Sequence, residues 1–186
     1  MFQKLLERIS LALKKQSIEY MVIGGQAVLL YGEPRFTKDI DITLGIGVER
    51  TNEMIELAKR AGCKPLVESP ADFVKKTMVL PCVDAASGIR VDFIFSFSEY
   101  ERQAMKRVKR ITVGDTEVCF ASAEDVVIHK MIAGRPRDLE DVKTILIKNP
   151  RLETPYMKEW LEIFERDLAQ PFLKRLEEIY QSLKSI

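Results

Sequence analysis

The chain has 186 residues, 46% of them apolar, enough to bury one compact core, so disorder is not expected. Its 29 basic and 28 acidic residues nearly cancel, so no global field advertises a polyanionic partner and any nucleic-acid contact has to be local. Cys63, Cys82 and Cys119 are widely spaced, odd in number and without CxxC or HxxxH company, which argues against a disulfide framework or structural zinc and points to a reducing cytoplasm.

Residues 1–20 alternate apolar and charged positions. Phe2, Leu5, Leu6, Ile9, Leu11 and Leu13 mark an amphipathic helix, not a signal peptide or a membrane span, and no membrane partner is expected. Residues 20–23 read as a short buried strand that breaks at Gly24-Gly25, and residues 26–31 resume a helical pattern that Gly32 and Pro34 stop. After a basic loop at 33–38, Asp39-Ile40-Asp41-Ile42-Thr43-Leu44 alternates strictly, which puts both carboxylates on one face of a strand and the aliphatic side chains on the other.

A helix is expected over 48–61, closed by Gly62, and a short one over 71–76. Strands over 77–83 and 89–95 are expected to pair antiparallel around a turn at 84–88. Residues 98–106 read as helix, and 108–113 with 117–120 as a second hairpin turning at Gly114-Asp115. Ser122 followed three residues later by Asp125 starts a helix that ends at Gly134. Helical segments over 137–147, 155–168 and 171–183 complete the chain, with Pro155 and Pro171 placed to begin two of them. The expected organisation is a mixed α and β part over 1–121 and a helical segment over 122–186, packed on it.

The chemistry concentrates in a few residues. Carboxylates spaced D-x-D on a strand point the same way about 6 to 7 Å apart, and a hard divalent cation relieves their repulsion. Asp92 shares a strand face with Arg90 and Ile94, while Val91, Phe93 and Phe95 share the other, so a third carboxylate is available to a two-metal clamp. Gly24-Gly25, where strand hands over to helix, lets backbone N–H groups approach a phosphate at the positive end of that helix.

Val22-Ile23-Gly24-Gly25, then 13 residues, then Asp39-Ile40-Asp41-Ile42, then a later strand bearing Asp92, resembles the signature of the polymerase-beta-like nucleotidyltransferase superfamily. Residues 35–41 together with 129–141 are similar to the small prokaryotic branch that contains the abortive-infection toxin nucleotidyltransferases. The resemblance covers roughly residues 18–148. It implies an α+β fold with a mixed sheet flanked by helices, with Asp39, Asp41 and Asp92 holding Mg²⁺ or Mn²⁺ and Asp92 also helping to deprotonate the acceptor. It also implies a phosphate contact for Lys130 and a supporting polar role for Asp138. Many members carry Ser where this chain has Gly25, so one phosphate contact falls to backbone alone.

The expected reaction moves a nucleoside monophosphate from an NTP to an acceptor hydroxyl with release of pyrophosphate. The acceptor is an RNA end, especially tRNA, a protein side chain or a small molecule such as an aminoglycoside. A non-catalytic binding module and a phosphohydrolase using the same metals are the rival readings. Arg35 and Lys38 flank the acid pair and either neutralise phosphate or form surface ion pairs. Lys130 either binds phosphate or snorkels as a structural lysine. Arg135, Arg137, Asp138 and Asp141 form a charge cluster suited to fixing two helices. His129 is read as structural, and Tyr156, Trp160 and Phe164 as a core or interface stripe. The basic run at 106–110 is either an acceptor contact or a solvated helix end. The segment after Pro150 completes the acceptor cleft, packs a homodimer or binds an antitoxin-like partner.

Overall fold

The computed structural model describes every residue except Phe97, Ser185 and Ile186. Its elements in chain order are α1 (Phe2–Lys15), β1 (Tyr20–Ile23), α2 (Gly24–Tyr31), β2 (Asp39–Leu44), a 3-10 turn (Val48–Arg50), α3 (Thr51–Arg60), β3 (Cys63–Pro65) and α4 (Pro70–Thr77). There follow β4 (Val79–Asp84), β5 (Arg90–Phe95), α5 (Glu99–Lys106), β6 (Lys109–Val113), β7 (Thr116–Phe120), α6 (Ala123–Ala133), α7 (Pro136–Lys148), α8 (Thr154–Leu168) and α9 (Phe172–Lys184). The fold is α+β, as expected. No described helix is long and apolar enough to cross a membrane.

The chain divides into two compact units. The first comprises residues 1–26 and 36–121; the second takes in residues 27–35 together with 122–186.

Among the described residues, the first unit is built on a seven-stranded mixed sheet in the order β3-β4-β5-β2-β1-β7-β6. Only β2 with β5 and β1 with β7 pair parallel; the other neighbours are antiparallel. Period-two alternation decides which face is dry: Ile40, Ile42, Leu44, Leu80, Cys82, Val91, Phe93 and Phe95 are fully buried. The stripe of α1 joins this core through Leu5, Ile9 and Leu13. The expected β4–β5 and β6–β7 hairpins form. One boundary and one element stand out against expectation. Thr77 ends α4 instead of opening a strand, because Met78 turns the chain at φ 61° before β4 begins. The three-residue edge strand β3 is too short to leave an alternating pattern and was not expected. Asp84, at the end of β4, accepts hydrogen bonds from Ser87 N (3.0 Å) and Oγ (2.5 Å) and pairs with Arg8 of α1, so it fixes the turn and the helix together.

In the second unit, Ser122 caps α6 by accepting from Asp125 N at 3.1 Å, and Gly134 ends it at φ 63°. Pro136 sits in the first turn of α7, as Pro155 does in α8. Tyr156 donates to Asp125 at 2.8 Å, and the Trp160 and Phe164 rings lie 6.3 Å apart, so the aromatic stripe of α8 is spent on packing inside the unit.

Candidate active site

Local alternation and long-range register together build an acidic array on the first unit's sheet. In β2 the apolar Ile40 and Ile42 turn into the core, leaving Asp39 and Asp41 half-buried on the opposite face. In β5 the apolar Val91 and Phe93 do the same and leave Arg90 and Asp92 outward. The strands pair parallel with Asp39 opposite Arg90 and Asp41 opposite Asp92. Paired strands lie about 4.8 Å apart, so Asp41 and Asp92 are direct neighbours and Asp39 stands one pleat along. On either side of this pair the register supplies apolar residues, Pro81 on β4 and Ile23 on β1.

Gly24 completes the row. It follows β1, opens α2 and adopts φ 62°, a conformation that costs other residues strain. A Cβ built there would fall inside the van der Waals shell of an Asp41 carboxylate oxygen. Glycine is therefore needed both for the turn and for the approach of Asp41, and buried Gly25 follows it into the helix. Gln26 donates from Nε2 to Thr37 Oγ1 at 2.6 Å, both residues being buried, and so ties the start of α2 to the loop that delivers Asp39. Sequence reasoning missed Gln26 and Thr37, because a contact across a loop leaves no periodic trace. Lys38 is exposed in the same loop.

Arg90 was also missed, although alternation places it on the face of Asp92. Its Nε donates to both carboxylate oxygens of Asp92, at 2.9 and 3.1 Å. That bond, with the nearby charges of Asp39 and Asp41, holds the guanidinium above its ordinary pKa. Among the described residues, no three His, Cys, Asp or Glu side chains are gathered closely enough to hold a metal ion. What fits a hard divalent cation here is the donor chemistry: three carboxylates on one face, with a glycine where a Cβ would crowd one of them.

Arg35 and Lys130 belong to the second unit, where they meet two buried carboxylates. Lys130 donates to Asp138 at 2.7 Å and lies 3.0 Å from Asp141. Arg35 donates to Asp141 from Nη2 at 3.0 Å, and Arg135 to Asp138 from Nε at 2.5 Å. Lys130, Asp138 and Asp141 are buried, so the ammonium joins α6 to α7. Burial pushes the Asp138 carboxyl up, but the hydrogen bonds from Arg135 and Lys130 outweigh it and hold the group below its ordinary value.

A family model described as a nucleotidyltransferase of unknown function (DUF6036) matches residues 1–177. No curated protein matches in sequence. Among solved structures, the chain is similar to the antibiotic-resistance factor ANT(2'')-Ia in solution, at 15% identity and a TM-score of 0.62, covering 97% of each chain. It is similar also to ANT(2'')-Ia in complex with adenylyl-2''-tobramycin, at 14% identity and a TM-score of 0.60, covering 89% of this chain and 98% of that one. A nucleotidyltransferase-like antigenic protein from Paracoccidioides brasiliensis shares 14% identity with a TM-score of 0.56 and 88% coverage of each chain. At these identities the likeness is one of fold.

Proposed function

The chain belongs to the DUF6036 nucleotidyltransferase family, and from that membership we propose that it moves a nucleoside monophosphate from an NTP to an acceptor hydroxyl through Asp39, Asp41 and Asp92. The observation that carries this reading is the row of Asp41 beside Asp92 with Gly24 against Asp41. The acceptor oxygen forms a bond to the α-phosphorus, the bond to the bridging oxygen breaks, and pyrophosphate leaves.

Asp39, Asp41 and Asp92 would hold Mg²⁺ or Mn²⁺, which when bound supplies neutralisation of phosphate charge and a lowered pKa for the acceptor hydroxyl. Asp92 accepts the acceptor's proton. Gly24 and Gly25 present backbone N–H groups at the start of α2 to the triphosphate. Lys38, exposed in the loop before Asp39, is the cation proposed to contribute to phosphate binding.

Two acceptor classes have support. Similarity to the toxin-like branch in residues 35–41 and 129–141 favours an RNA end, tRNA above all, in a cytoplasmic enzyme restrained by an antitoxin-like partner. Structural likeness to ANT(2'')-Ia, whose complex holds an adenylylated tobramycin, favours a small-molecule hydroxyl. The deciding experiment incubates purified protein with each α-labelled NTP, Mg²⁺ or Mn²⁺, and separate pools of tRNA, protein and aminoglycosides. Asp39→Asn, Asp41→Asn and Asp92→Asn are each expected to lower transfer at least a thousandfold with circular dichroism unchanged. Transfer at the normal rate by all three well-folded variants would remove these residues from the chemistry.

A further inference from the structure

The outward face of β2 and β5 carries three carboxylates and one guanidinium, in two register pairs: Asp39 with Arg90 and Asp41 with Asp92. Arg90 reaches along its own strand, and its Nε is shared between both oxygens of Asp92. The partners differ in accessibility. The Arg90 side chain is 55% exposed and that of Asp92 only 16%, so the arginine can swing to solvent while the aspartate stays in place. Across the register Arg90 also stands opposite Asp39, so it neighbours two of the three carboxylates.

Resting on the reading of these aspartates as metal ligands, we propose that Arg90 is a positioning residue that acts as a displaceable stand-in for the divalent ion. It holds Asp92 while the site lacks metal and gives up at least one Asp92 oxygen when metal binds. The exchange is feasible because a half-exposed ion pair is weak and screened, whereas a divalent ion beside the neighbouring Asp41 and Asp92 carboxylates brings twice the charge. Arginine suits the post because it stays charged at every working pH and spreads that charge over a plane facing several oxygens. Two consequences follow. Arg90 lowers divalent-ion affinity by competition, and it keeps three carboxylates on one sheet face from repelling one another before the ion arrives.

The test is Mn²⁺ binding to the full chain without nucleotide, read by the electron paramagnetic resonance of the free ion, in wild type, Arg90→Gln, Arg90→Lys, Asp92→Asn and the Arg90→Gln/Asp92→Asn double variant. Arg90→Gln removes the charge at an exposed position and is expected to bind Mn²⁺ roughly tenfold more tightly, as loss of one competing unit charge predicts. Arg90→Lys keeps the charge and is expected within about twofold of wild type. In the double variant the gain should disappear, since the carboxylate Arg90 competes for is gone. Unchanged or weaker Mn²⁺ binding by Arg90→Gln, with wild-type binding intact and sensitive to Asp92→Asn, overturns the stand-in role and leaves the metal reading standing. Failure of wild type to bind Mn²⁺ at all, with or without ATP, overturns that reading and the inference with it.

Discussion

Gly24 shows how much a single residue is asked to do. Its positive φ and the carboxylate of Asp41 resting against it are separate demands, and alanine fails both. Gly24→Ala is expected to destabilise by about 1 to 3 kcal/mol from backbone strain, and to lower nucleotidyl transfer more than tenfold by displacing Asp41. Thermal unfolding and the transfer assay separate the two effects. Near-normal values in both would show that the Asp41 side chain yields freely. Arg90 is the residue-scale counterpart: its position two before Asp92 in an alternating strand is readable, but its hydrogen bonds to Asp92 are not.

Helix α6 illustrates the scale of the element. Its limits were legible because both ends carry chemistry: a Ser122 hydroxyl for the first orphan N–H groups and a glycine free to turn left-handed at 134. Its attachment to α7 was less so. A lysine among apolar neighbours calls for a partner, yet nothing local says that Lys130 meets both Asp138 and Asp141. Lys130→Met is expected to cost about 3 kcal/mol, the low end for breaking a buried pair, because Arg135 and Arg35 still reach the two carboxylates. The pH dependence has a definite sign. Asp138 is held below the ordinary value of 3.8, so its pairing contributes full stability above that value and loses it as pH falls through the lower native one. Unfolding temperature measured down the acid limb should therefore fall less steeply in Lys130→Met than in wild type; parallel curves would count against the pairing.

At the scale of the whole molecule, the sheet core of the first unit hides two of the three thiols. Cys63 and Cys82 are fully buried, and burial pushes their pKa values to about 11 and about 12, further raised by neighbouring Asp84 at Cys63 and by Cys63 at Cys82. Cys119 on β7 is partly exposed. At mildly alkaline pH, a disulfide reagent is expected to modify one thiol of the native protein quickly and the other two only at the rate of unfolding. Two fast thiols would mean that the β3–β4 edge opens far more readily than its packing implies.

What the chain determined by itself was local and periodic. The alternation at 39–44 and 90–95 set which side chains face outward, Gly24 and Gly134 marked turns that need left-handed backbone, and Ser122 marked a helix start, because each depends on atoms within a few residues. Tertiary structure alone decided what lies beside what. That β2 and β5 are neighbours, parallel and in the register that sets Asp41 beside Asp92 and Asp39 beside Arg90, is a choice among pairings of segments some fifty residues apart. That choice is made by burial of two apolar faces at once, to which no single segment holds the information. The placement of residues 27–35 with the helical unit has the same origin: Asn149 and Lys148 donate to the carbonyls of Tyr31 and Gly32, across more than a hundred residues of chain.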